Sequence, residues 1–171
     1  MRRAVFMKPP MAAVSLRQAE EADLAALNAV IERAVMTWNL PERVKRLSLS
    51  TYRYQPHDLA HLHLVVAEDA GQAIIGVAAW EPANARDLPA DKRGLLLHGL
   101  YIDPAQARRG VGGRLLEAAL DAAREQGCDG LLVKAQSDAA GFFAARGMQP
   151  LPVVDIARDY PYRFWQALGV H

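Results

Sequence analysis

Cysteine is nearly absent from this sequence: Cys128 is the only one among 171 residues. One thiol cannot close a disulfide within the chain and argues against a cysteine-based metal site. That fits a reducing compartment, and the cytoplasm is the expected location. Net charge is also missing. Twenty Lys and Arg against 19 Asp and Glu leave +1, so the overall balance calls for neither nucleic acid nor an anionic membrane surface. No apolar run approaches the ~18 residues of a membrane helix. The segment Met1 to Met11 carries Arg2 and Arg3 but lacks the apolar stretch of a signal peptide, and Pro9 and Pro10 interrupt it. Met1, Met7 and Met11 are all candidate starts. Residues 1–12 are expected to form a flexible extension of a single domain spanning residues 1–171. Internal repeats, low-complexity tracts and long linkers are absent too.

What is present suits an ordinary folded domain, since 51% of the residues are hydrophobic. Val14 to Arg17 reads as a short strand. Leu24, Leu27, Val30, Ile31, Ala34 and Val35 recur at helical spacing within a helix predicted over 20–35. Pro41 is placed to open a second helix at its first position, running through Val44 and Leu47, and residues 48–58 read as irregular. Strands are predicted over 62–67 and 73–80, joined by the hairpin turn Glu68-Asp69-Ala70-Gly71-Gln72. Another strand, Leu95 to Asp103, is closed by Pro104. A long helix then runs from Val111 to Gln126 and stops at Gly127. Leu131 to Ala135 reads as a strand, and Asp138 to Arg146 as a short helix capped by Ser137 and ended by Gly147. A closing hairpin is expected from Val153, Val154 and Ile156 to the segment Tyr162–Leu168. The order implies a mixed α/β (α+β) fold, mostly antiparallel, with one parallel β-α-β crossover.

The chemistry concentrates between Ile102 and Leu116. A strand enters, the turn Arg108-Arg109-Gly110-Val111-Gly112-Gly113-Arg114 follows, and an amphipathic helix leaves. The first turn of a helix exposes amides without intrahelical partners, and the macrodipole places partial positive charge there. Phosphate oxygens supply the missing acceptors. Gly110, Gly112 and Gly113 keep side chains away from those amides, and Arg108, Arg109 and Arg114 add charge. A helix start that is glycine-rich by accident would cost roughly 0.5–1 kcal/mol per glycine relative to alanine. Neither Lys-Ser nor Lys-Thr follows Gly113, which excludes the nucleoside-triphosphate loop, and the spacing is not Gly-x-Gly-x-x-Gly.

The stretch resembles the GNAT superfamily of N-acetyltransferases, whose signature is Gln or Arg, two residues, Gly, one residue, then Gly or Ala. Here the frame is Ala107-Arg108-Arg109-Gly110-Val111-Gly112, with Ala107 departing at the first position. The likeness extends through the preceding Leu100-Tyr101-Ile102-Asp103-Pro104 and the later Ala139-Ala140-Gly141-Phe142-Phe143-Ala144-Ala145-Arg146-Gly147-Met148. It covers residues 95–148 by motif and the rest by topology. The resemblance implies a GNAT-like sheet flanked by helices and acetyl-CoA as co-substrate, with no metal. Backbone groups of Leu100, Tyr101 and Ile102 would pair with pantetheine, and amides from Arg108 through Val111 to Arg114 would hold the pyrophosphate. Gln136, Ala139 and Phe143 would line the cofactor's other side. The implied activity is transfer of acetyl to a primary amine of a small molecule or peptide by direct attack. Nucleic acid and membrane are not implied as partners, and a homodimer is the oligomer the resemblance allows.

Two protons must move. The family's usual tyrosine donor to the departing thiolate is Phe143 here, which has no proton to give. Tyr101, Tyr160, Tyr162 or water is left to serve, or the chain is a catalytically idle acyl-CoA sensor. His98 is the candidate base, placed by strand alternation on one face with Leu96, Leu100 and Ile102. A histidine's ordinary pKa of about 6.5 suits the task. A core histidine satisfied by a hydrogen bond is the competing reading, and Glu81 is the alternative base. Cys128 lies a whole helix away, roughly 20 Å from the glycine turn. His57, His61 and His63 lack a carboxylate or cysteine to complete a zinc set. Trp38, Tyr52 and Tyr54 fall where an acceptor site is expected.

Overall fold

The computed structural model describes residues 13–153, 155–157 and 162–169. The expected N-terminal extension, Val154 and Tyr160 lie outside them. The described strands form one sheet in the order β1-β2-β3-β4-β5-β7-β6. They are β1 (Ser15–Gln18), β2 (His63–Glu68), β3 (Ile74–Pro82), β4 (Gly94–Ile102), β5 (Gly130–Ala135), β6 (Gln149–Pro150) and β7 (Tyr162–Ala167). Five pairings are antiparallel, and β4 with β5 is the parallel one. Helix α4 (Val111–Glu125) makes the crossover between that pair.

Helices cover both faces. On one side α4 buries Val111, Leu115, Leu116, Ala119, Leu120 and Ala123 against Val65, Ala78, Leu95, Leu97, Leu131 and Val133. Helix α5 (Ser137–Ala145) adds Phe143 to the same core. On the other side α1 (Leu24–Met36) buries Leu27, Val30, Ile31, Ala34 and Val35. Its stripe packs with Leu49, Tyr54 and Tyr101 over Leu64, Val66, Val77 and Ala79. Apolar positions at helical spacing thus bury a continuous face in each layer.

Three readings of the sequence are corrected. Helix α2 (Glu42–Tyr52) runs through Ser48, Ser50 and Thr51, which had read as irregular, and Pro41 is its N-cap. Serine and threonine are weak helix formers, but Lys45, Leu49 and Tyr52 continue an inward stripe, and Ser48 Oγ donates to the Val44 carbonyl at 2.7 Å. A four-residue helix, α3 (Asp58–His61), follows. In α5 the N-cap is Gln136 and Ser137 is already helical. The closing hairpin uses Gln149–Pro150 against β7, with Leu151 donating its amide to the Arg163 carbonyl at 2.8 Å. Val153 and Ile156 are exposed. Valine and isoleucine there reflected β-propensity without a face to bury.

Candidate active-site cleft

Two irregularities in the sheet shape a cleft. Between β3 and β4 the register slips: Ala79 pairs with Gly99, but Trp80 pairs with Leu97, so His98 is an extra residue on β4. Such a bulge breaks the alternation of faces. Leu95 and Leu97 share the α4-side core with Leu100 and Ile102, while Tyr101 lies in the opposite core. His98 therefore does not share the face of Leu100 and Ile102, as simple alternation had it. Its side chain is on the α1 side, where Nδ1 lies 3.1 Å from the Tyr54 hydroxyl. The second irregularity is that β4 pairs with β5 only from Gly94/Gly130 to Leu97/Val133. Beyond that point β5 continues beside β7 and β4 continues beside β3. The strands part, and a cleft of about 680 Å³ opens between them.

The glycine turn stands at one end of this opening. A short turn of 3-10 helix, Pro104–Gln106, is capped by Asp103, whose Oδ1 accepts from the Ala105 amide at 3.1 Å. Arg33 pairs with the other oxygen at 2.7 Å. Although burial opposes it, the Arg33 hydrogen bond and the Ala105 amide hold the Asp103 carboxyl below its ordinary value. Arg108 (φ 64) and Gly110 (φ 80) are both left-handed. For a non-glycine residue that conformation is uncommon and stores about 1–2 kcal/mol. Alternating backbone of this kind turns successive amides inward and makes an anion-binding hollow. The first helical amide with a partner inside α4 is that of Arg114, on the Gly110 carbonyl at 3.1 Å.

The three glycines differ in what they answer to. Gly110 takes the positive φ. At Gly112 a Cβ would meet the Phe142 ring at an ordinary 3.4 Å, so packing does not require glycine there. At Gly113 a Cβ would strike the guanidinium of Arg146, which lies against the first turn of α4 and 4.9 Å above the Phe142 ring. Arg146, from the end of α5, is a cation at the turn that spacing along the chain did not reveal. Arg114 instead donates to the Val14 carbonyl, and Arg109 reaches Gln106 at 3.3 Å.

The cleft is lined by Leu100, Tyr101 and Ile102 on β4 and by Gln136, Ala139 and Phe143 beyond β5, as well as by His98. Phe143 is buried, with Phe142 edge-on at 5.1 Å and Phe164 at 5.9 Å. Trp38, just past the end of α1, and Tyr52, the last residue of α2, join the lining. Their rings meet edge to face at 5.2 Å, and Tyr52 meets Tyr101 at 6.4 Å. Gln136 Nε2 donates to the Tyr52 hydroxyl at 3.0 Å, across 84 residues of sequence. Beside His98, burial raises the pKa of the Tyr54 hydroxyl strongly, with Tyr101, Asp58 and Glu81 adding to it, so this tyrosine is neutral.

Other candidates fall elsewhere. Glu81 pairs with Leu96 on β3 and is not among the lining residues. Tyr162 opens β7, half-exposed and outside the cleft, and Tyr160 lies outside the described residues. Cys128 follows the far end of α4, its amide on the Ala123 carbonyl. Among the described residues no three His, Cys, Asp or Glu side chains are grouped to hold a metal. His63 stacks on Trp80 at 4.8 Å, and His57 lies 3.4 Å from Asp58. No described helix is long and apolar enough to cross a membrane.

A family model described as "Acetyltransferase (GNAT) family" matches residues 31–148. No curated protein matches the sequence significantly. Solved structures do. A GNAT family acetyltransferase from Brucella melitensis, in complex with acetyl-CoA, is 20% identical over 93% of this chain and 90% of its own, with a TM-score of 0.63. PaiA N-acetyltransferase from Thermoplasma acidophilum, in complex with coenzyme A, is 15% identical over 91% and 99%, with a TM-score of 0.72. A GCN5-related N-acetyltransferase from Rhodopseudomonas palustris is 20% identical over 95% and 100%, with a TM-score of 0.70. At these identities the likeness establishes the fold.

Proposed function

Because the chain belongs to the acetyltransferase (GNAT) family, we propose that it transfers acetyl from acetyl-CoA to a primary amine by direct attack, without a covalent enzyme intermediate. The observation that carries this reading is the parting of β4 and β5 beyond Leu97 and Val133, with the left-handed Arg108–Gly110 turn at its end. Backbone groups of Leu100, Tyr101 and Ile102 bond β3 on one side and are turned to the cleft on the other. They pair with the pantetheine arm as a strand edge would. The amides of Val111, Gly112 and Gly113 take the diphosphate, with Arg108, Arg109 and Arg146 as counter-charges. Arg114, whose amide bonds the Gly110 carbonyl and whose guanidinium is engaged by Val14, contributes through its charge. Gln136, Ala139 and Phe143 close the other side.

When bound, acetyl-CoA supplies an acyl group activated as a thioester and a thiolate leaving group. His98 takes the proton from the acceptor's ammonium. With Nδ1–H donating to the neutral Tyr54 oxygen, Nε2 keeps its lone pair for that step. The amine nitrogen then bonds to the acyl carbon as the carbon–sulfur bond breaks, and the nitrogen's surplus proton leaves to water, from which the tyrosine that serves the sulfur is reprotonated. A hydroxyl of the Tyr52–Tyr101 pair returns a proton to the sulfur; Gln136, donating to the Tyr52 oxygen, favours release of that proton. Glu81 is the alternative base; its charge is felt at Tyr54.

Phe143 favours a second reading, a domain that binds acyl-CoA without turning it over, because its buried ring offers no proton. Free-thiol release from acetyl-CoA with a broad amine panel separates the two. Amine-dependent release is expected, and its absence despite cofactor binding points to the idle domain. His98→Ala is expected to lower kcat by about 10²–10³-fold with CoA affinity retained. Unchanged turnover transfers the role to Glu81.

A further inference from the structure

The two strands that part do so symmetrically. One residue past the last pair, Leu97 and Val133, come His98 on β4 and Lys134 on β5. Both project to the α1 side of the sheet. His98 meets Tyr54 there, and Lys134 alternates with Leu131, Val133 and Ala135, which face α4. Both line the cleft. Among its described lining residues, Lys134 is the one side chain with a fixed charge; none is a carboxylate. On the same side Trp38, Tyr52 and Tyr101 form a wall of edge-to-face rings.

Resting on the acetyltransferase reading, we propose that the acceptor is an α-amino acid with an aromatic side chain. Neighbouring strands lie about 4.8 Å apart and further where they diverge. An amine and a carboxylate on one Cα, each adding a hydrogen-bond length, can bridge groups on the two parting strands, the amine toward His98 and the carboxylate toward Lys134. The aromatic side chain packs on the wall of rings, which offers both faces and edges to a planar group. Asp87 already pairs with Lys134 at 3.2 Å, so an incoming carboxylate shares this cation and does not meet an isolated one. A polyamine or aminoglycoside finds no carboxylate among the described lining residues to hold its further cations.

The test is kcat/KM, followed by thiol release from acetyl-CoA, for phenylalanine, phenethylamine, alanine and spermidine. Phenylalanine is expected to exceed both the amine lacking its carboxylate and the amino acid lacking its ring by about tenfold or more. In Lys134→Met the phenylalanine to phenethylamine ratio is expected to fall about tenfold. If Lys134 only pins the Asp87 loop, both substrates fall together and the ratio holds, which overturns its role in the proposal. Preference for spermidine or phenethylamine in the unaltered protein overturns the acceptor class while leaving the acetyltransferase reading standing. Release with none of the four but with other amines of the broad panel overturns the acceptor class alone, whereas no release with any amine, although acetyl-CoA binds, counts against the acetyltransferase reading.

Discussion

At Gly113, the absent side chain makes room for Arg146 rather than for the cofactor directly. The obstacle to an alanine there is the far end of a flexible side chain, and alanine is worth about 0.5–1 kcal/mol more than glycine within a helix. Gly113→Ala is therefore expected to hold or raise the Tm while displacing Arg146 and weakening CoA binding several-fold. Opposite signs in thermal denaturation and calorimetry check this; falling stability with unaltered affinity contradicts it. Gly99 differs. A Cβ there would lie 2.5 Å from the Tyr54 hydroxyl and 2.7 Å from the Tyr101 ring, both in the buried core beside α1. Gly99→Ala is expected to cost about 1–3 kcal/mol, as overpacking does, and to disturb the Tyr54–His98 pair. Tyr54→Phe removes only the hydroxyl, so kcat and its pH profile should move with little change in CoA affinity.

At the scale of elements, what the sequence reveals depends on how local the cause is. Helices α1 and α4 are legible because their apolar positions repeat every three to four residues. The β2–β3 hairpin is legible because Asp69 and Gly71 make the turn themselves, with Asp69 Oδ1 accepting from the Gly71 and Ala73 amides. The turn ahead of α4 is legible as a glycine cluster. The bulge at His98 is not, since it arises from the register of β4 against β3 and leaves no mark in its own residues. Nor is the partnership of Tyr52 with Gln136, or of Arg146 with Gly113, because each joins distant segments. One tie of this kind links the turn to α1. Arg33→Ala removes the partner of Asp103. Because Arg33 is half exposed, solvent screening limits the loss to about 1 kcal/mol or less.

Across the whole molecule, the sheet separates two chemistries. The α4 side holds the glycine turn and Phe143, and the α1 side holds His98, Tyr54 and the aromatic rings. They meet where β4 and β5 part. Acid should loosen this assembly in a defined window. Asp103 and Asp23 both have carboxyls held below their ordinary 3.8. A depressed folded pKa means the stability they contribute is present above that value and lost as pH falls through the folded one. The stability difference between wild type and Arg33→Ala should therefore persist at neutral pH and fade as pH falls below the carboxyl's ordinary 3.8. A difference independent of pH would remove Asp103 from the explanation. The amides at the start of α4 are proposed to hold a diphosphate. Isothermal titration of coenzyme A into wild type and a Gly112→Ala variant tests this directly, because a Cβ at that position meets Phe142 and Ile102 only at ordinary van der Waals distance. One-site binding in the wild type, weakened at least about tenfold in the variant by a side chain standing over the amides, is the predicted result. No saturable heat in the wild type, or equal affinity in both, would contradict it.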